Sequence, residues 1–272
     1  MASIREIADQ VRSAVSRERL AHSTVWRILH EAALKPWQYR SWIFPRDPLF
    51  AERAAVVLDL YAGVYGGKPL GNNDHVLSLD EKTGLLLRTR CPPTRAPREG
   101  SSGRIEFEYE RHGIGVLLAG MDVRTGRVFH RVEPKNGIVP FQALLEEVVG
   151  HRPYREADRL FLLVDGGGSH HRSTFQARLN EAFPQPDSPP MIAVHLPNHA
   201  SWLNQIELFF SAVARKALRH FECRTLEEMA EHLDRFIERH NRDPQPFRWS
   251  FTNKDLERMI LRWEAKGYSL AT

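Results

Sequence analysis

Three carboxylates occupy positions where an acidic side chain is either costly or useful. Asp165 closes the apolar run Leu160-Phe-Leu-Leu-Val164 and precedes three consecutive glycines, residues 166–168. A continuous apolar run of that length reads as a strand buried on both faces. The carboxyl ends of such strands are where α/β sheets bind ligands, and glycines there let the backbone turn sharply and approach a bulky group. Asp80 ends a second short strand, His75-Val-Leu-Ser-Leu-Asp80. Glu207 falls on an expected helix over 201–219, where Leu203, Glu207 and Phe210 share one face. A carboxylate in an otherwise apolar stripe is expensive unless it is paired or binds a metal. Taken singly, a strand-end Asp is most often a turn or cap residue, and a lone helical Glu is usually solvated. As a set, three hard oxygen donors suit Mg²⁺ or Mn²⁺.

Two other constellations are weaker. Gly167-Gly-Ser-His-His171 contains a serine beside histidines, but its glycines precede the Ser and it is not the G-x-S-x-G elbow of a serine hydrolase. His170, His171, His195 and His199 lack HExxH or similar zinc-binding spacing. The two cysteines, Cys91 and Cys223, make neither a disulfide framework nor a Cys-rich zinc site, which suits a reducing cytoplasm.

The elements that must position the acids are legible from the hydrophobic period. Apolar residues at helical spacing mark two short N-terminal helices. Ile4, Ile7, Ala8 and Val11 define the first; Val25, Ile28, Leu29 and Ala32 define a second that Ser23 can cap. Residues 1–45 carry seven Lys/Arg against four acids. Two amphipathic helices with a basic excess suggest a helix-turn-helix; a small helical bundle with a solvated basic face is the plainer alternative. If the second helix lies in a DNA groove, Val25, Ile28 and Leu29 face inward. Thr24 and Arg27 are then the candidate base readers, with Lys35 and Arg40 placed for phosphates. Prolines at 36, 45 and 48 punctuate a boundary, and a helix is expected over 49–65. From His75 the order is strand, strand, strand, helix, strand, helix, strand, helix. The strands are 75–80 with 84–88 continuing or pairing with it, then a hairpin of 115–122 and 127–132 about Arg124-Thr-Gly126, then 160–164 and 191–196. The helices are 139–149, 172–182, 201–219 and 225–240, the last opened by the capping-box pattern Thr225-Leu-Glu-Glu228. Between the first strands, Cys91 to Gly103 is rich in Pro, Gly, Ser and Arg. Six basic residues against Glu99 alone lie between Lys82 and Arg104. Such a loop is either plainly solvated or, through Arg95 and Arg98, able to hold a phosphate backbone.

Composition narrows the class. The 272 residues are 42% apolar and 26% charged, ordinary globular usage that excludes a disordered or fibrous chain. The net charge of +4 permits a polyanionic partner without requiring one. The N-terminal residues lack the apolar segment of a signal peptide, and no apolar run approaches the ~20 residues that span a bilayer. Neither a membrane nor a secreted protein is expected.

With these residues in view, the chain resembles the insertion-sequence transposases of the mariner superfamily, whose DDE catalytic domain has a ribonuclease-H-like fold. The resemblance is carried by Ser23-Thr-Val-Trp-Arg-Ile-Leu-His30 with Leu34-Lys-Pro-Trp37, by Leu79-Asp-Glu-Lys82, and by Glu106-Phe-Glu-Tyr-Glu-Arg-His-Gly113. Further on it is carried by Leu163-Val-Asp165 with His170, and by Pro197-Asn-His-Ala-Ser-Trp-Leu-Asn-Gln-Ile-Glu207 with Phe210-Ser211. Last come His240-Asn241 and Pro246-Phe-Arg-Trp249. The segments run in order from about residue 4 to 250, and the Ser-Trp-Leu-Asn-Gln-Ile-Glu block after the second Asp is highly specific.

The resemblance implies an α/β fold, a ribonuclease-H-like mixed sheet flanked by helices. It implies Asp80, Asp165 and Glu207 as catalytic residues that bind two Mg²⁺ or Mn²⁺ ions, supported by His170, Trp202 and Asn204. The partner is double-stranded DNA, cut at the ends of a mobile element and joined to target DNA at TA, with two-ended cutting suggesting a homodimer on DNA. The place of action is the cytoplasm, at the nucleoid. The expected organisation is a helix-turn-helix region over 1–45, a helical linker over 46–71, a catalytic domain over 72–220 and a C-terminal helical extension over 221–272. Two departures accompany it. Gly166 stands where the family usually has Asn, and Gly cannot supply an amide to orient the site. Relatives usually carry more helical DNA-binding sequence upstream. Two rivals follow: a catalytically weakened or repurposed DNA-binding protein, and a general nuclease on the same fold.

Overall fold

The computed structural model describes residues 4–15, 21–31, 45, 47–167 and 170–268. Two compact units form, residues 1–44 and 45–272. In chain order the elements are α1 (Ile4–Val15), α2 (His22–Glu31), α3 (Phe50–Tyr61), β1 (Val64–Tyr65), β2 (Lys68–Pro69), β3 (Asp74–Thr89), β4 (Glu110–Asp122) and β5 (Val128–Glu133). Next come α4 (Ile138–Gly150), β6 (Arg159–Val164), α5 (Phe175–Ala182), β7 (Met191–His195), α6 (Ile206–Val213), α7 (Leu226–Arg242) and α8 (Asn253–Glu264).

In the first unit α1 and α2 pack on each other, with Ala8 and Val25 buried. Ile28, expected to face inward with Val25 and Leu29, is instead 53% exposed. The apolar stripe of α2 is narrower than its sequence suggests, taking Val25 and part of Leu29 and leaving Ile28 outside. Thr24 is half-buried and Arg27 exposed. Lys35 and Arg40, the two expected phosphate contacts, and Ala32 lie outside the described residues.

The second unit is built on a five-stranded sheet of order β5-β4-β3-β6-β7. The first three strands form an antiparallel meander; β6 and β7 run parallel to β3. That mixed arrangement follows from the connections. A turn of a few residues joins β4 to β5, whereas α4 and α5 each carry the chain back to start a parallel strand. Alternation of side chains then separates two cores. Leu77, Leu79, Leu118, Leu160 and Leu162 face α4 and α5, which contribute Phe141, Leu144, Leu145, Phe175 and Leu179. On the opposite face Val76, Phe161 and Leu163 meet α3 and α8, while Leu117, Ala119 and Met121 meet α6 and α7. Among the described residues no helix is long and apolar enough to cross a membrane.

Several elements differ from expectation. Asp80, expected to end its strand, lies within β3: of the two readings of 84–88, continuation of the first strand holds, and Gly84, at φ +73, is an irregularity in the pairing with β4 between Thr83 and Leu85. Only glycine takes that left-handed conformation without steric cost. The helix expected over 201–219 is three pieces: a 3₁₀ turn at Ser201–Leu203, α6, and a π turn at Ala214–Leu218. The helix expected over 49–65 stops at Tyr61, and its last residues turn into β1. Both α3, from the segment expected to be a linker, and α7 and α8, from the C-terminal extension, pack on the sheet within the same unit.

Candidate active site

The registry of two parallel strands positions the first two acids. In the β3–β6 pair Ser78 lies opposite Leu163, and the same registry two residues on sets Asp80 beside Asp165. Both have the parity of Val76, Ser78, Phe161 and Leu163, so they project on the face that carries α3 and α6 rather than into the α4–α5 core. There β6 has ended at Val164 while β3 continues, leaving a notch at the carboxyl end of the sheet.

Glu207 reaches that face from the first turn of α6. It is not inside the apolar stripe, as the sequence suggests. The buried stripe is Ile206, Phe209, Phe210 and Val213, and Glu207 lies half-buried at its edge. The reason is the break before residue 206: Leu203 belongs to a separate 3₁₀ turn, so the i, i+4 relation from Leu203 to Glu207 does not hold. The placement costs less than a fully apolar one, and the N–H groups of a helix N-terminus favour a carboxylate.

The environment of Asp80 records the proximity of the three charges. Burial foremost, then the negative charges of Asp165, Glu207 and Glu81, push its carboxyl up to about 7, against the Glu81 N–H that acts to lower it. That N–H donates to Oδ1 at 2.8 Å. The other oxygen is held by Asn204, whose Nδ2 donates to Asp80 Oδ2 at 3.2 Å and to the Leu79 carbonyl at 2.9 Å. The amide of Asn204 is fully buried and its orientation is fixed from behind. Ser78 Oγ donates to Asn204 Oδ1 and accepts the Ile206 N–H at 2.8 Å. One serine on the strand thus locks both the Asn204 rotamer and the start of the helix that carries Glu207. Tyr61 adds a second tie by donating to the Leu203 carbonyl at 2.7 Å.

Asp165 is held oppositely. The ring N–H of buried His170, foremost, and the Gly167 N–H at 2.9 Å lower its pKa against the effect of burial. The His170 Nδ1 to Oδ1 distance is 3.3 Å. A side chain at 167 would place Cβ 2.9 Å from Asp165 Oδ1, so glycine there lets the carboxylate keep this position. His170 is wedged against Phe141, with ring centroids 4.1 Å apart, and its carbonyl accepts His195 Nε2 at 3.0 Å. Burial lowers the pKa of His195, in keeping with a neutral ring that donates there.

The structure therefore brings together Asp80, Asp165, Glu207, His170, Asn204 and Gly166. It does not place Trp202 with them by any hydrogen bond. That ring is 45% exposed and stands edge-on to Phe251 at 5.2 Å. Arg95 and Arg98 lie on the exposed loop after β3, cross-linked to Arg104 and Ser101 by backbone bonds. Its base is anchored by Glu222, which accepts from Thr94 and Arg90. Sequence reasoning missed Ser78 and Tyr61, although Ser78 shares the face of Asp80 two residues away.

Among the described residues no three Asp, Glu, His or Cys side chains close into a ready-made metal cage. The donor chemistry nonetheless fits a hard divalent cation. Three carboxylates share one sheet end, and one of them is forced towards its protonated form by burial and its neighbours' charge. A cation relieves that repulsion.

A family model described as "DDE superfamily endonuclease" matches residues 75–230. No curated protein sequence matches the chain significantly. Among solved structures, the crystal structure of the Mos1 mariner paired end complex with Mg superposes over 100% of this chain and 76% of that one, at 14% identity and a TM-score of 0.57. The corresponding complex with Mn gives the same coverage and identity with a TM-score of 0.56. The Mos1 strand transfer complex covers 97% and 72% at 14% identity and 0.55. These likenesses show a shared ribonuclease-H-like fold. With the family match spanning more than half of its residues, and the acids at one end of that fold, the chain belongs to the DDE superfamily endonucleases.

Proposed function

We propose that this endonuclease is a DNA transposase that nicks DNA at the ends of a mobile element and joins the freed 3′ ends to target DNA at TA. The observation that carries the reading is the placement of Asp80 beside Asp165 at the sheet end, with Glu207 close enough to act on Asp80's ionisation. In this reading the three carboxylates hold two Mg²⁺ or Mn²⁺ ions. When bound, such a pair activates the attacking oxygen and stabilises the leaving one in an in-line displacement at phosphorus. Asn204 keeps Asp80 turned to the shared face, His170 and the Gly167 N–H do the same for Asp165, and Ser78 ties both strand and helix to one geometry. Thr24 and Arg27 on α2 are the readers of element-end bases, with Lys35 and Arg40 on phosphates and Arg95 and Arg98 on the exposed loop as further backbone contacts. The Mos1 structures are paired end complexes with Mn or Mg and a strand transfer complex, which supports divalent metal, double-stranded DNA and a dimer on DNA as partners here.

The rival reading, a catalytically weakened DNA-binding protein, rests on Gly166 in place of the family's Asn. One assay separates the readings. Labelled element-end duplexes, taken from inverted repeats flanking the coding region, are incubated with Mg²⁺ or Mn²⁺ and a target plasmid. A transposase gives 3′-end nicks and joined products at TA. Nicks without joining indicate a general nuclease, and binding without nicks indicates the weakened protein.

A further inference from the structure

Beside Asp165 lies a cluster of charge that the proposed chemistry does not use. Asp47 is buried at its centre. Its Oδ1 accepts the Leu49 N–H at 3.1 Å and Arg53 Nη1 at 2.8 Å; its Oδ2 accepts Arg53 Nη1 at 2.6 Å and the Asn198 N–H at 2.9 Å. A carboxylate offers about four lone-pair sites, so Asp47 is already saturated. Arg172 approaches the same carboxylate only to 3.7 Å, an ion-pair contact rather than a hydrogen bond. Two guanidiniums therefore lie against Asp47, with Asp165 a further negative charge near the second, and that second guanidinium has few of its donors engaged. Among the described residues Arg172 makes one hydrogen bond, from Nη2 to the Leu196 carbonyl, and its Nε is buried with no partner.

That guanidinium lies close to the backbone of Gly166. A Cβ built there would sit 3.6 Å from Arg172 Cζ, 3.7 Å from Nε and 3.6 Å from Asn198 Oδ1. The guanidinium thus lies within van der Waals reach of a side chain at 166, where the backbone is exposed and adjoins Asp165. The Arg172 side chain remains 26% exposed.

We infer that Arg172 is a substrate-binding residue that grips a phosphodiester of the DNA strand lying over Gly166 beside the acids. A planar, partly exposed guanidinium that makes one hydrogen bond among the described residues matches the geometry of phosphate oxygens, and a strand seated there adds charge-assisted hydrogen bonds that Asp47 does not accept from it. Arg53 keeps Asp47 neutralised when Arg172 turns to the phosphate, so the contact leaves no buried anion behind. The inference rests on the proposed function only in taking DNA as the polyanion; the contact itself requires no metal.

The test is binding of a fluorescein-labelled 30-base-pair duplex to the full chain in EDTA, over a series of salt concentrations. Arg172→Met and Arg172→Gln remove the charge, and Arg172→Lys keeps it. Leaving one phosphate without its cation lowers the magnitude of the salt slope by about 0.9, and removing the charge-assisted bonds to it weakens binding by about tenfold at low salt. Met and Gln should show both effects, and Lys should retain the wild-type slope with part of the affinity. A merely structural role would not separate the variants by charge. Thermal unfolding of each variant checks that Arg53 alone holds Asp47. A slope unchanged in Met and Gln, or a Lys variant as weak as Met, overturns the assignment. Because binding is read without metal, the outcomes are separable. Failure of the wild type to nick DNA with Mg²⁺ or Mn²⁺ counts against the proposed function alone, and an unchanged slope in a nicking-competent protein counts against Arg172 alone.

Discussion

The side-chain amide of Asn204 bridges the Leu79 carbonyl and the carboxylate of Asp80, three residues before Glu207 in the chain. One buried residue thus links the strand that carries the first acid to the segment that carries the third. The link is fixed because Ser78 satisfies the other end of the amide and the Ile206 N–H together. Buried polar groups with every partner in place specify one geometry, and removing one partner exposes the rest to the full cost of burial.

Asn204→Ala should therefore destabilise the protein by about 1–3 kcal/mol through the unpaired Ser78 hydroxyl and Asp80 oxygen. It should also lower metal-dependent nicking by about 10–100-fold, as substitution of residues that orient ligands does. Asn204→Asp should be worse on both counts at pH 7.5, because it adds a buried negative charge beside Asp80. Denaturant unfolding and a nicking time course measure the two effects. An Asn204→Ala protein as stable and active as wild type would show that the bridge has no structural or functional weight.

Asp80 sets a pH dependence with a definite sign. Its folded-state pKa of about 7 lies above the ordinary 3.8, so the folded state binds the proton more tightly than the unfolded one. The associated stability is fully present below about pH 4 and is lost as pH rises through about 7. In a chelator, wild-type Tm should fall relative to that of Asp80→Asn between pH 4 and 7.5. Mn²⁺ should raise wild-type Tm at pH 7.5 far more than at pH 5, since a bound cation needs the ionised carboxylate. Parallel Tm curves for the two proteins, or a Mn²⁺ effect equal at both pH values, would contradict the placement of Asp80.

The His170 contact predicts a different profile. Because the His170 ring lowers the pKa of Asp165, His170→Phe, which preserves the packing against Phe141 and Phe175, should let that pKa rise. Nicking should drop about 10–100-fold at pH 7.5, and the deficit should widen at pH 5.5. A deficit constant with pH would mean that the ring acts by shape alone.

Much of this arrangement is readable in the residues, and the misreadings have local causes. The apolar run 160–164, closed by Asp165 and followed by glycines, describes its own strand and turn. The meander and the alternation of helices and strands follow from the turn signals and periods. Gly84 leaves two readings of 84–88 open because glycine can end a strand as well as kink it, and Asp80 then reads as a strand end; the cross-strand pairing with β4, which is not local, decides for one strand through 89. Glu207 reads as part of an unbroken helix because Ser201–Leu203 has helical composition, while the break before Ile206 is set by Ser78 and Tyr61, more than 120 residues upstream. Ile28 points inward on period alone, but burial depends on how much of α2 its neighbour covers. The Asp47–Arg53–Arg172 cluster has no sequence signature, since its members meet only through the tertiary fold.

The central claim is that Asp80, Asp165 and Glu207 act as one site in DNA cleavage. It is tested most directly by the initial rate of Mn²⁺-dependent nicking of an element-end duplex by wild type, Asp80→Asn, Asp165→Asn and Glu207→Gln. DNA binding in EDTA serves as the check that each variant is folded. Each substitution keeps the shape and removes one charge, so each should cut the rate by about a hundredfold or more while binding persists. A variant of any of the three that binds DNA and nicks it within about twofold of the wild-type rate would contradict the claim.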